Sequence, residues 1–363
     1  MKVSGAWRRT IERAGDGRSV VVLDQARLPY EIAWLPLADL AGAARAIRDM
    51  HIRGAPLIGV TAAYGVALAM RDDPGDAQLS RACATLQATR PTAINLRWAL
   101  DTMRAALTGV APAEREAVAY ALAGKLADDD VAQCEAIGRH GLAVIRQAAA
   151  RAGDRPIHVL THCNAGWLAT VDWGTAIAPI YKAHEAGLQI HVWVDETRPR
   201  NQGLLTAWEL AQHGVPHTVI ADNQGGHLMQ RGAVDLCIVG TDRTTRNGDV
   251  CNKIGTYLKA LAARDNGVPF YAAVPSPSID WAVGEPDEIP IEERSGDELR
   301  YVSGRDARGA PARVEVVPPA SQVANAAFDV TPRRLVTGLI TERGVAPATP
   351  EGLRRLFPEH AAP

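Results

Sequence analysis

The hydrophobic period of the chain changes near residue 150, and no other feature restricts the fold as much. From Leu37 to about Arg151 the sequence is alanine-rich helix former, punctuated at Asp72-Asp73-Pro74-Gly75, Arg90-Pro91 and Gly109-Val110-Ala111-Pro112. Past Gly153-Asp154-Arg155-Pro156, short apolar runs alternate with helical stretches. The runs are Ile157–Leu160, Gln189–Val194, Thr218–Ala221, Leu236–Val239 and Val268–Val274, and helices are expected near Thr175–Glu185, Leu204–His213 and Lys253–Arg264. Such repetition buries strands on both faces and predicts a parallel, Rossmann-like sheet. Ahead of the helices, Val20–Leu23 and Tyr30–Leu35 flank the polar turn Asp24–Arg27 and read as a hairpin. The expected fold class is α/β, with residues 1–150 forming an N-terminal β-hairpin and helical subdomain and residues 151–363 a Rossmann-like α/β catalytic domain.

Composition narrows what such a fold does. The 363 residues carry a formal net charge of −2, so no global basic surface supports a nucleic-acid coat. The five cysteines (Cys83, Cys134, Cys163, Cys237, Cys251) are odd in number and form no C-x-x-C pair, which argues against a disulfide framework or a structural zinc site. The histidines contain no H-E-x-x-H, and Asn223-Gln224-Gly225-Gly226-His227 lacks the G-x-G-x-x-G of a dinucleotide site. The N-terminal MKVSGAWRRTIERAGDG is charged throughout, and the longest apolar stretch, Ala55 to Met70, is too short to span a bilayer. A cytoplasmic protein acting on a small molecule, with no metal, is expected.

Polar groups gather where the predicted strands end, the edge at which open parallel sheets bind ligands. Thr161-His162-Cys163-Asn164-Ala165-Gly166, Asp195-Glu196-Thr197-Arg198, Asp222-Asn223, Gly240-Thr241-Asp242-Arg243 and Pro275-Ser276 each follow an apolar run. Cys163, placed before an expected helix start and beside His162, is either an activated thiolate or a buried apolar cysteine. Asp242 is either an acid/base with a pKa raised by burial or a turn former. Asn252-Lys253-Ile254-Gly255-Thr256 is expected to open a helix whose free N–H groups and lysine bind an anion such as phosphate, unless the lysine is merely solvated. Arg53-Gly54-Ala55-Pro56 and Arg90-Pro91 have the same anion-binding character.

Taken in order, Arg53-Gly54-Ala55-Pro56-Leu57-Ile58-Gly59, Arg90-Pro91-Thr92-Ala93-Ile94-Asn95-Leu96, the Thr161–Gly166 segment, Val194-Asp195-Glu196-Thr197-Arg198-Pro199, Gly240-Thr241-Asp242-Arg243 and Asn247–Thr256 resemble the methylthioribose-1-phosphate isomerase family. The resemblance reaches from the N-terminal hairpin to Leu339-Ile340-Thr341-Glu342-Arg343-Gly344. It implies aldose–ketose isomerisation of 5-methylthioribose 1-phosphate in methionine salvage, without cofactor, by a homodimer. It places the catalytic pair on Cys163 and Asp242, and substrate contacts on Arg53, Gly54, Ala55, Arg90, Gln202, Asn252 and Lys253; Gln202 is supplied by the resemblance alone. The wider superfamily includes ribose-1,5-bisphosphate isomerases and the regulatory subunits of a translation-initiation guanine-exchange factor. Trp167 and the Asn223–His227 loop depart from the expected small residues. If they line the pocket, 5-deoxyribose 1-phosphate is an alternative substrate, and a sugar-phosphate or nucleotide sensor is the alternative without catalysis.

Overall fold

The computed structural model describes residues 1–360. A short hairpin (β1, Lys2–Val3; β2, Ala6–Trp7) precedes a three-stranded antiparallel sheet of β3 (Ile11–Arg13), β4 (Val20–Leu23) and β5 (Trp34–Leu37). The second strand of the expected hairpin therefore starts four residues late. Asp24 N–H bonds Ala33 carbonyl at 2.8 Å, and residues 25–32 form a loop tied inward by Gln25 Nε2 to Leu168 carbonyl at 2.6 Å.

Five helices follow: α1 (Leu40–Arg48), α2 (Ala55–Asp72), α3 (Asp76–Gln87), α4 (Ile94–Leu107) and α5 (Pro112–Ala152). Helix α2 is apolar all round and forms the axis of this layer, as a helix without a wet face must. Gly59 lets it approach α4, since a Cβ there would lie 2.9 Å from Asn95 carbonyl oxygen. The 41 residues of α5 span about 60 Å at 1.5 Å per residue. Ala119, Tyr120 and Ala123 pack into the helical core, while Ile137, Val144, Ile145 and Ala148 pack against the sheet beyond. The expected boundary at residue 150 falls in the last turn of this helix.

The second layer alternates as its periodicity predicts: β6 (Ile157–Thr161), α6 (Ala178–Glu185), β7 (Ile190–Asp195), α7 (Gln202–His213), β8 (His217–Ile220), α8 (Gln224–Gln230) and β9 (Leu236–Val239). Next come β10 (Arg243–Thr245), β11 (Val250–Lys253), α9 (Thr256–Asp265), β12 (Phe270–Ala273) and β13 (Ile279–Asp280). After α10 (Asp297–Arg300), an antiparallel ribbon (β14, Tyr301–Arg305; β15, Pro311–Glu315) leads to β16 (Phe328–Thr331), β17 (Gly338–Thr341), β18 (Gly344–Ala346) and α11 (Pro350–Leu356).

Seven strands form the main sheet in the order β18-β17-β12-β9-β6-β7-β8, parallel except for β18. Counting β6 as first, the six parallel strands run 3-2-1-4-5-6, the doubly wound order whose switch point lies between β6 and β9. A second sheet, β13-β10-β11-β16, was not legible in the sequence; it stands over the carboxyl end of β9. Among the described residues no helix is long and apolar enough to cross a membrane.

Candidate active site

Cys163 and Asp242 follow β6 and β9, the two strands that flank the switch point. The backbone at Cys163 is left-handed (φ 71°), a conformation a non-glycine residue holds only when its surroundings impose it. Two threonines do so: Cys163 N–H donates to Thr197 Oγ1 at 2.8 Å, and Thr206 Oγ1 donates to Cys163 carbonyl at 2.8 Å. The expected helix start after Cys163 is absent. The chain makes a 3-10 turn at Trp167–Ala169, and α6 begins only at Ala178, so the segment after Cys163 offers the sulfur no α-helix N-terminus of its own. The ring nitrogens of His162 are engaged elsewhere, Nδ1 with Asp195 Oδ2 at 2.9 Å and Nε2 with Ile254 carbonyl at 2.8 Å. Burial therefore dominates and pushes the thiol up to about 11, with the Asp242 charge adding to it and the Lys253 and Arg53 charges opposing. Of the two readings open from the sequence, a thiol pushed up to about 11 favours the buried neutral cysteine over the activated thiolate.

Asp242 is placed by the second sheet. Its N–H donates to Cys251 carbonyl at 2.9 Å, extending the β10–β11 ladder by one bond beyond Arg243. Burial raises its carboxyl, against the pull of Lys253 and Arg90. Asn252 and Lys253 do not open a helix: both lie in β11, paired with Asp329 and Phe328 of β16, and α9 starts at Thr256 after Gly255. Asn252 Nδ2 donates to Thr256 Oγ1 at 3.1 Å, and Lys253 Nζ donates to Ala327 carbonyl at 2.8 Å, 4.6 Å from the centre of the Phe328 ring. Burial lowers the Lys253 ammonium, while Cys163 and Asp242 hold it up.

From the helical layer, Gly54 (φ 92°) caps α2. Its Cβ would fall 2.4 Å from Ala169 Cα, so only glycine brings the start of α2 this close to the loop after Cys163. Arg90 pairs with Glu292 at 3.1 Å. Arg53, Gly54, Ala55, Arg90, Cys163, Gln202, Asp242, Asn252 and Lys253 all line one cavity of about 90 Å³. Met50, Arg200, Arg294 and Phe328 line it as well, and no local signal in the sequence marks them. Arg200 and Arg294 are held at 2.9 and 2.7 Å by Glu298, whose carboxyl they draw down to about 2. A larger cleft of about 930 Å³ adjoins through Arg53 and Arg200. Among the described residues, Nε of Arg53, Arg90 and Arg200 and Oε1 of Gln202 are buried without a partner. Three guanidinium groups lining one cavity suit a phosphate.

Trp167 and the Asn223–His227 loop are not among the residues lining the cavity. Trp167 is buried and stacks on Trp208 at 6.4 Å, and the loop enters α8. His162, Asp195 and Asp222 place their ligand atoms within 4.8 Å of one another, as a metal site would. Lys259 supplies the cation instead, with Nζ 3.1 Å from Asp195 Oδ2 and bonded to Asp222 carbonyl.

The chain matches the Initiation factor 2 subunit family over residues 51–348. It is 64% identical over 363 residues to the methylthioribose-1-phosphate isomerase of Paramagnetospirillum magneticum, covering 99% of this chain and 100% of that one. It is 62% identical to the Rhodospirillum rubrum protein of the same name, covering 99% and 94%. Among solved structures, the 5-methylthioribose 1-phosphate isomerase of Pyrococcus horikoshii superposes with a TM-score of 0.82 at 37% identity, over 97% of this chain and 96% of that. A protein of A. fulgidus described as translation initiation factor eIF-2B, subunit delta, superposes with a TM-score of 0.79 at 36% identity, over 97% and 100%.

Proposed function

Because the chain belongs to the Initiation factor 2 subunit family, and within it to the methylthioribose-1-phosphate isomerases, we propose that it converts 5-methylthioribose 1-phosphate to 5-methylthioribulose 1-phosphate at the cavity between its two layers. The observation that carries this reading is the meeting in one cavity at the switch point of a carboxyl raised by burial, a thiol pushed up to about 11, a buried lysine and the guanidinium groups of Arg53, Arg90 and Arg200.

The phosphate on C1 prevents the sugar from opening to a free aldehyde, so an acid must act on the ring oxygen. Asp242, whose carboxyl burial raises, is the group placed to deliver that proton as the bond from C1 to the ring oxygen breaks. The C2 hydrogen must then reach C1. A thiolate base would cost about 5 kcal/mol at pH 7 for a thiol titrating near 11. A hydride shift avoids that cost: the C2 hydrogen moves to C1 with its electron pair, and C2 becomes the ketone as its hydroxyl loses a proton. Cys163 relays this proton, its sulfur accepting it as the S–H proton passes to the Asp242 carboxylate, which restores both groups. Arg53, Arg90, Gln202 and the start of α2 at Gly54 and Ala55 hold the phosphate, and Asn252 and Lys253 face the reacting carbons. Binding energy at the phosphate orients those carbons.

The kinship with a protein described as an initiation-factor subunit keeps a regulatory sensor as the second reading. The test is turnover of 5-methylthioribose 1-phosphate by the purified protein, beside ribose 1,5-bisphosphate and 5-deoxyribose 1-phosphate. Preference for the first supports the reading. Binding of any of them by folded protein without turnover favours the sensor. A cytoplasmic homodimer accompanies the enzyme reading, and sedimentation measures its stoichiometry.

A further inference from the structure

Beneath the Cys163 loop lies a buried carboxylate that the chemistry above does not use. Glu209, on α7, has no solvent exposure and accepts four hydrogen bonds. Oε1 receives Asn164 Nδ2 at 2.8 Å and Leu168 N–H at 2.9 Å; Oε2 receives Trp167 N–H at 2.8 Å and Tyr181 O–H at 3.0 Å. Three of these donors belong to the five residues that follow Cys163. The loop is built around the carboxylate so closely that a Cβ on Gly166 would lie 1.9 Å from Oε2.

Thr206, three residues earlier on the same face of α7, donates to Cys163 carbonyl and accepts from Asn164 Nδ2 at 3.1 Å. Gln202, one turn earlier again, reaches the cavity. One stripe of one helix thus carries a substrate contact, the clamp on the left-handed Cys163 backbone, and the acceptor that holds the loop behind it. We propose that Glu209 is a positioning residue for the isomerisation: its carboxylate holds residues 164–168, and through Asn164 and Thr206 it fixes the Cys163 thiol against the reacting carbons. Charge and acceptor count matter here more than volume. Burial pushes the carboxyl up to about 7 despite its four donors, so keeping it ionised in this place opposes its own desolvation.

The inference rests on Cys163 acting in the reaction, so its test reads the thiol as well as turnover. Glu209→Gln keeps the shape but turns an N–H₂ toward two donors. In the full chain we expect kcat to fall at least tenfold with KM within threefold, because Arg53, Arg90 and the start of α2 hold the phosphate from other elements. Cys163 should also react with iodoacetamide at least threefold faster as the loop loosens. A folded variant with kcat within twofold of wild type overturns the proposal, as does a loss of kcat that parallels the loss of folded protein by circular dichroism with Cys163 labelling unchanged. Should Glu209→Gln fail to fold, Tyr181→Phe removes one donor and leaves the ring. A threefold or larger fall in its kcat with KM held supports the role, and an unchanged kcat overturns it. Absence of turnover by the wild type refutes the isomerase reading instead, a result separable from either outcome.

Discussion

Cys163 should resist alkylation. Its thiol is pushed from 9.0 up to about 11, a difference of about 2.7 kcal/mol at 1.36 kcal/mol per unit. At pH 8 the thiolate fraction is then about one in a thousand, against about one in ten for an unshifted thiol, and only the thiolate reacts. Treatment with iodoacetamide, followed peptide by peptide in a mass spectrometer, should label Cys163 about a hundredfold more slowly than a free cysteine. Cys83, Cys134, Cys237 and Cys251 are buried and should label only on unfolding. The rate should rise tenfold per pH unit through pH 10, since the group stays below its pKa over that range. Lys253→Met removes the charge that most opposes the shift and should slow labelling by a further several-fold. Labelling of the wild type within tenfold of a free thiol at pH 8 would mean an activated thiolate, and the neutral relay and hydride shift would have to give way to proton abstraction by sulfur.

Three further outcomes follow from the same geometry. Asp242→Asn should lower kcat by on the order of 10² while leaving stability near that of the wild type, measured by steady-state kinetics and urea unfolding; turnover in deuterated water should leave almost no label at C1, and substantial label there would exclude the hydride route. Arg53→Met should raise KM by on the order of tenfold to a hundredfold, the worth of a charged hydrogen bond. It should also stabilise the unliganded protein, because burial and Arg200 already press the Arg53 guanidinium down to about 10; a lowered midpoint in urea would contradict this. Gly54→Ala should destabilise by about 2 to 5 kcal/mol, combining left-handed strain with overpacking against Ala169, and a near-neutral unfolding free energy would show the contact to be softer than its geometry.

The parallel sheet was legible because its strands are buried on both faces and read as unbroken apolar runs; Leu236–Val239 is found at its predicted bounds. Local reading failed where the chain leaves that rule. Polar residues after an apolar strand usually announce a helix, which is the expectation just after Cys163 and at Asn252-Lys253. At Cys163 the backbone turns left-handed under two threonines from elsewhere in the chain, and at Lys253 it is a strand paired with β16. That partner lies 75 residues downstream at Phe328, and no periodicity in a strand of four residues points to it. Arg294 and Phe328 entered the cavity unannounced for the same reason: each is placed by a non-local contact. The residues named from the family resemblance line the cavity together, but the neutral state of the thiol could be read only from its burial.

The central claim is that one cavity isomerises a sugar 1-phosphate with Asp242 and Cys163 as the acting pair. Turnover of 5-methylthioribose 1-phosphate measured side by side for the wild type, Cys163→Ala and Asp242→Asn tests it most directly. Ready conversion to 5-methylthioribulose 1-phosphate by the wild type, with kcat reduced by on the order of 10² or more in each folded variant, is the predicted result. Wild-type rates in either variant, or no turnover by the folded wild type, would contradict it.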